Sequence, residues 1–218
     1  MLELFGHPFS SYCQKALIAL YEHRIDFTWR RLSPDDPQTL AAWAAHWPMQ
    51  RMPVLVDDGT PVFEATIIVE HLDLHHARGR PLVPADPVAA LDVRFMDRFF
   101  DNYVATPQQR VVFNALRDAP DRDPLAVRQA NAMLDTSYAW LERRMEGREW
   151  ASGGQFSLAD CSAAPQLFYA DWTHPIGDRF PNVLAYRRRL LARPSVARCV
   201  DEARPYRAGF PLGAPDRD

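Results

Sequence analysis

Apolar and polar residues follow two different rhythms along this chain, and the change of rhythm divides it. Met1–Phe5 is a short apolar run halted by Gly6-His7-Pro8, a strand running into a turn. From Ser11 to Glu22 the apolar positions Ala16, Leu17, Leu20 and Tyr21 fall near one face, which predicts a helix. Asp26–Arg31 alternates like a strand, and Pro37–His46 reads as a short helix. Pro53–Asp57 and Pro61–Phe63 flank Asp58-Gly59, a pair suited to the positive φ angles of a tight hairpin. A helix from about Ala65 to His76 closes the segment, with Ile67, Ile68, His71, Leu72 and His75 expected on its inner side. The order βαβ, then a helix, then ββα predicts a small α/β domain with a mixed four-stranded sheet.

The rhythm then changes. Arg78–Pro87 carries three prolines and a glycine and reads as a linker, giving domains over 1–78 and 88–218 joined by 79–87. Beyond it the strand signals disappear. Leu91, Phe95, Phe99 and Tyr103 recur every four residues, and Leu134, Tyr138, Leu141 and Met145 repeat helical spacing. Further helices are predicted from about Ser157, over Phe180–Ala192 and over Ser195–Glu202, making an all-α bundle of about five helices. Pro205–Asp218, rich in Pro, Gly and charge, is expected to be an irregular tail.

Composition narrows the function. A chain of 218 residues, 47% hydrophobic and 24% charged, is a folded protein with one large or two small domains. Its apolar runs are too short for a membrane span, and MLELFGHPFSSYC lacks the basic and continuous apolar regions of a secretory signal. Cys13, Cys161 and Cys199 form neither a disulfide framework nor a C-x-x-C pair, so a reducing, cytoplasmic location is expected. A net charge of −3 argues against nucleic-acid or membrane-surface binding through a basic field. Of 25 basic residues, the one lysine is Lys15.

Three segments carry candidate chemistry. In Pro8–Lys15 a hydroxyl sits where the first helix begins, where free N–H groups and the helix dipole favour an anion such as a thiolate. The same residues also suit an ordinary N-cap at Ser10 or Ser11, with Gln14 completing a box from Ser11. In Trp47–Leu55, Pro53 enters a strand. A cis bond there would turn the Met52 backbone outward, free to pair with an extended peptide. In Phe63–Ile68, Glu64 and Thr66 mark a strand-to-helix junction whose N–H groups suit a carboxylate or an ordinary cap.

In this order and on this plan the segments resemble the glutathione S-transferase family over essentially the whole chain. Where related glutaredoxins open the first helix with C-P-Y-C, this chain has Ser10-Ser11-Tyr12-Cys13, similar to the serine-type (theta, delta and zeta) transferases. The resemblance implies a thioredoxin-like N-terminal domain followed by the family's helical domain. It further implies glutathione as co-substrate, an apolar electrophile as second substrate, a homodimer and no metal. Ser10, or Ser11, would donate to the glutathione thiolate, and Met52 before a cis Pro53 would pair with the cysteinyl backbone. Gln50 or Arg51 would supply a side-chain contact, and Glu64 with Ala65 or Thr66 would hold the γ-glutamyl end. Two positions depart from the family: Ala65 stands where a serine is usual, and Trp47 where an asparagine is usual. They favour a rival reading, a non-catalytic binding or scaffold protein on the same fold. Glutathione-dependent isomerisation or thiol–disulfide exchange through Cys13 is a third.

Other features weigh less. Ser157 with Asp160 makes a capping box, a structural motif. His71 and His75 have metal-ligand spacing but no accompanying ligand set, so they read as core or surface histidines. Arg187-Arg188-Arg189 reads as a solvated helix face. Phe95, Phe99, Phe100, Tyr103 and Phe113 read mostly as core, with Tyr103 and Thr106 expected on the electrophile-pocket side. Lys15 is either a cation near the glutathione end or a solvated surface charge.

Overall fold

The computed structural model describes residues 1–217. Strand β1 (Leu2–Gly6), helix α1 (Ser11–Glu22) and strand β2 (Thr28–Arg31) form a βαβ unit, with Glu3 opposite Thr28 in a parallel pair. Helix α2 (Pro37–His46) leads to β3 (Val54–Asp57), which runs antiparallel to β1 with Leu4 opposite Leu55. The hairpin to β4 (Thr60–Phe63) turns at Asp58 (φ 46°) and Gly59 (φ 84°), the double positive φ that the Asp-Gly pair predicts. Helix α3 (Ala65–His75) follows, and the sheet order is β2-β1-β3-β4. This is the predicted mixed sheet.

Strand alternation decides which helix covers which face. Leu2, Leu4 and Leu55 join α1 and α3 in the main core, whereas Phe5, Val54 and Val56 pack with Trp43 of α2 on the other face. The inner stripe of α3 is Ala65, Ile68, Val69 and Leu72. Ile67, 52% exposed, and His75 lie outside it, because residues one position apart on a helix point about 100° apart.

The second half is helical throughout: α4 (Pro87–Phe99), a π-helical turn (Phe100–Ala105), α5 (Thr106–Ala115), α6 (Pro124–Arg144), α7 (Leu158–Thr173), α8 (Pro181–Leu191) and α9 (Pro194–Ala203). Six α-helices stand among the described residues where about five were predicted. Leu134, Tyr138, Leu141 and Met145 are buried as expected. The four-residue stripe from Leu91 is not. A step of four residues overshoots one turn by about 40°, so the stripe winds round the helix. Leu91 and Phe95 therefore face outward while Phe99 is buried, and the buried face of α4 is Ala90, Val93, Met96 and Asp97.

Helix α7 is the axis of the helical half, with 15 of its 16 residues buried. Its start is held by the predicted capping box. Fully buried Asp160 accepts from the backbone N–H groups of Ala151 (3.0 Å) and Ser157 (2.9 Å), and from the Tyr186 hydroxyl (2.5 Å). Arg187 is also buried, 3.5 Å from Asp171 and 5.7 Å from the Phe168 ring, so the arginine run is not wholly a solvated face. The predicted irregular tail contains a 3₁₀ turn (Arg204–Gly209), and buried Phe210 meets Trp172 edge-on at 5.2 Å. Asp218 lies outside the described residues. The connecting segment is tied down by Asp73 of α3, which accepts from the N–H groups of Leu82 (3.0 Å) and Val83 (2.8 Å). Among the described residues no helix is long and apolar enough to cross a membrane.

Where α1 and α3 pack on the helical half lies a buried ionic cluster. Lys15 of α1 is fully buried, neither solvated nor on the surface. Its ammonium pairs with Asp97 of α4, lies 3.0 Å from Asp101 and donates to Thr66 Oγ1 of α3 at 2.8 Å. Thr66 donates to Asp97 (2.9 Å), Arg98 donates to the same carboxylate (2.7 Å), and Ser162 of α7 donates to Asp101 (3.1 Å). Burial acts to raise the Asp97 carboxyl, but the Lys15 charge and hydrogen bond, with Arg98, outweigh it and hold the group below the usual carboxylate range.

Lys15→Met removes the buried cation from two buried carboxylates and leaves them only the half-exposed Arg98, and is expected to lower the unfolding free energy by about 3 kcal/mol in urea at pH 7. Arg94→Met, which removes the exposed pair with Glu70, is expected to cost less than about 1 kcal/mol. Because Asp97 is depressed in the fold, its contribution is present above about pH 4 and lost as pH falls further, so the Lys15→Met deficit shrinks at pH ~3. Asp160→Ala leaves several buried donors unpaired, each costing about 1–3 kcal/mol, and is expected to lower the melting temperature without changing ligand affinity of the folded protein.

Candidate functional site

Where the sheet meets the helices, the starts of β3, α1 and α3 border a cavity of about 540 Å³. Its sheet-domain wall is formed by Ser10, by Gln50, Arg51, Met52 and Pro53, and by Glu64 and Ala65. Seven expected site residues from three separate segments thus share one cavity. A larger cavity of about 750 Å³, lined by Tyr21, Phe27 and Trp29, contains none of them.

Ser10 is the N-cap of α1 and half-buried. Its Oγ accepts from the Cys13 backbone N–H at 3.4 Å, a long bond that uses one lone pair, and its hydroxyl also bonds the Cys13 thiol, a weak acceptor from which a thiolate in the cavity would take the proton over. Capping and anion recognition are therefore compatible roles for one side chain. Ser11 is buried and off the cavity wall, and no box forms with Gln14, whose amide donates to the Pro8 carbonyl at 2.8 Å. Gly6 allows the strand to approach α1 this closely, since a Cβ there would lie 2.6 Å from Cys13 Sγ.

The Met52-Pro53 bond is cis. The β3–β4 ladder begins at Val54 opposite Phe63, so Met52 lies just beyond it at the cavity wall. Trp43 of α2 donates its indole N–H to the Arg51 carbonyl at 3.1 Å and fixes this loop. Trp47 stacks on Phe63 with centroids 4.1 Å apart. Glu64 holds φ 67° and Gln50 φ 49°; a non-glycine residue in this region is uncommon and concentrates at functional sites. Glu64 is exposed and makes no side-chain cap to α3, whose N-terminal N–H groups are left without that partner.

The helical wall differs from expectation. It consists of Arg98, Asp101, Asn102, Gln109 and Phe113, rather than Tyr103 and Thr106. Tyr103 is half-exposed against Phe99 at 5.7 Å, and Thr106 donates to the Asp101 carbonyl at 3.0 Å. Asn102, Gln109 and Phe113 are spaced seven and four apart, one helical face, a signal the sequence carried. Tyr12 also lines the cavity, its phenol pushed above the ordinary value by burial and then by the Asp101 charge. Arg98 and Asp101 could not be found from spacing, because a tertiary ion cluster places them. Thr66 is off the wall and belongs to that cluster.

Cys13 is fully buried. Burial pushes its thiol up to about 11 in spite of the Ser10 and His7 hydrogen bonds, so it is a protonated core residue at neutral pH. Two helix starts, a hydroxyl at one of them and a free strand-end backbone make a cradle for an extended ligand bearing a thiolate and a carboxylate.

Comparison with known proteins agrees with this arrangement. The family profile "Glutathione S-transferase, N-terminal domain" matches residues 4–81, and "Glutathione S-transferase, C-terminal domain" matches residues 124–189. Glutathione S-transferase U7 of Arabidopsis thaliana is 24% identical over 161 residues, 70% of this chain and 67% of its own. A glutathione S-transferase of Methylobacillus flagellatus with GSH bound superposes with TM-score 0.83 at 25% identity, over 91% of this chain and 98% of its own. Another, from Methylobacterium radiotolerans in complex with glutathione sulfonate, gives 0.78 at 29% over 91% and 94%. With both halves matched in order and the fold shared, this chain belongs to the glutathione S-transferase family.

Proposed function

We propose that this protein is a cytoplasmic, homodimeric glutathione transferase that joins the glutathione sulfur to an apolar electrophile. The carrying observation is the convergence on one cavity of Ser10 at the start of α1, the Met52–Pro53 edge and the start of α3 beside Glu64. Glutathione pairs its cysteinyl backbone with Met52, and its γ-glutamyl end meets Glu64 and the N-terminus of α3. Ser10 donates its hydroxyl proton to the thiolate. A free thiol with pKa ~8.5 is only a few per cent ionised at neutral pH. A hydrogen bond and the α1 dipole that lower it by about one to two units make the thiolate abundant. The sulfur lone pair attacks the electrophilic carbon, a C–S bond forms and the leaving group departs with its bonding pair. Phe113 supplies apolar surface on the electrophile side. The domains are proposed to divide at 79–87.

Exposed Ile67 and Leu74 on α3 and Val88, Leu91 and Phe95 on α4 support a dimer, since large side chains on two neighbouring helices are left in water. Ala65 and Trp47 favour the second reading, a binding protein without turnover. Burial of Cys13 disfavours thiol–disulfide exchange.

Glutathione titrated by calorimetry is expected to bind, with Glu64→Gln weakening it about tenfold; no heat at millimolar ligand overturns the enzyme reading. With an activated aryl chloride as electrophile, Ser10→Ala is expected to lower turnover about 10²-fold with little change in glutathione affinity. Binding without turnover in the wild type selects the binding-protein reading. Thiol labelling of native protein at pH 7 is expected to be slow at Cys13 and to accelerate on unfolding.

A further inference from the structure

A second cluster lies apart from the proposed glutathione cavity, at the end of β3. Asp57, the last residue of that strand, offers one carboxylate oxygen to two imidazoles: His71 Nε2 is 2.8 Å from it and His76 Nε2 2.6 Å. The three donor atoms lie within 4.8 Å of one another, and all three side chains are half-buried. None of the three lines the glutathione cavity.

Sequence spacing pointed to a different pair. His71 and His75 are one turn apart with rings 4.5 Å apart, but His75 is exposed and the second imidazole on Asp57 is that of His76. On a continuing helix, five residues would turn His76 about 140° away from His71. His76 is instead the C-cap of α3, with φ −131°, and leaving the helix brings its ring back to the same carboxylate. Beside the cluster opens a cavity of about 470 Å³ lined by Asp26, Asp57, Asp58, His75 and His76. Asp58 there is paired with the Met1 ammonium and Arg78 also lines the space, so what the cavity adds is room for further ligands on the metal side of Asp57.

We propose that Asp57, His71 and His76 bind one divalent transition-metal ion of the zinc class, with the remaining coordination position facing the Asp26–Asp58 cavity. Two imidazoles and one carboxylate are the borderline donor set that suits such an ion, whereas magnesium and calcium prefer oxygen alone. Bonds of about 2.0–2.2 Å in tetrahedral geometry hold ligand atoms about 3.3 Å apart. Reaching it takes opening the observed 2.6 and 2.8 Å contacts by about 0.7 and 0.5 Å and bringing the two imidazole nitrogens, which lie within 4.8 Å, to the same spacing, movements within reach of side-chain rotation. Without metal, each ring donates its Nε2 proton to Asp57. On binding, each Nε2 lone pair goes to the ion and the ring N–H sits at Nδ1. The ion then ties the end of β3 to the end of α3.

The test uses the full-length, tag-free protein, stripped with chelator and free of glutathione, whose thiol binds metals itself. Zn²⁺ is titrated by calorimetry and Co²⁺ by visible absorption. One ion per chain with micromolar affinity is expected, with the d–d bands of four- or five-coordinate cobalt. His71→Gln and His76→Gln, checked by circular dichroism, are each expected to weaken binding at least about tenfold, while His75→Ala leaves it unchanged. No binding of either ion to the wild type overturns the proposal. So does affinity that survives the His71→Gln/His76→Gln double variant, or that is lost equally in His75→Ala. None of these readouts depends on transferase activity.

Discussion

The architecture turns on one ammonium group. Lys15, buried on α1, neutralises Asp97 and Asp101 of the helical half and donates to Thr66 of α3. Charges in such an interior are costly to desolvate and become stable only when paired with good geometry and further hydrogen bonds. Arg98, Thr66 and Ser162 complete those bonds, so α1, α3, α4 and α7 are held at one point. The cavity is built on that point, for Asp101 and Arg98 also form part of its wall.

The cavity owes its character to backbone as much as to side chains. Two helices begin at it, and one strand begins just past a cis proline. Ser10 makes a long backbone bond and a weak thiol contact to its own helix, while Glu64 makes no side-chain cap. Hydrogen-bonding capacity that a purely structural cap would consume is left facing the cavity. Ala65 thins the same wall by one hydroxyl relative to the family's usual residue. The Thr66 hydroxyl beside it cannot replace that group while it bridges Lys15 and Asp97.

The opposite end of the sheet domain has its own polar focus. Asp57 gathers two imidazoles because α3 stops at His75 and the next residue folds back. The two ends use the same device, a strand or helix terminus where regular hydrogen bonding has run out and side chains take over.

Local rules made much of this legible in the sequence. The βαβ and ββα order, the Asp-Gly hairpin, the Ser157–Asp160 capping box and the buried stripe of α6 follow from periodicity and turn chemistry acting over a few residues. The three segments that line the cavity's sheet-domain side were visible as motifs for the same reason. What sequence spacing could not settle was direction in three dimensions. The four-residue stripe from Leu91 winds out of the core, His76 replaces His75 as the partner of Asp57, and Arg98 and Asp101 stand on the helical wall where Tyr103 and Thr106 were expected. Lys15 is the clearest case. Composition marked it as singular, yet only the docking of α1 against α3, α4 and α7 decided that its charge is buried. The cost of burying a charge depends on partners distant in sequence, and those are known only when the chain has folded.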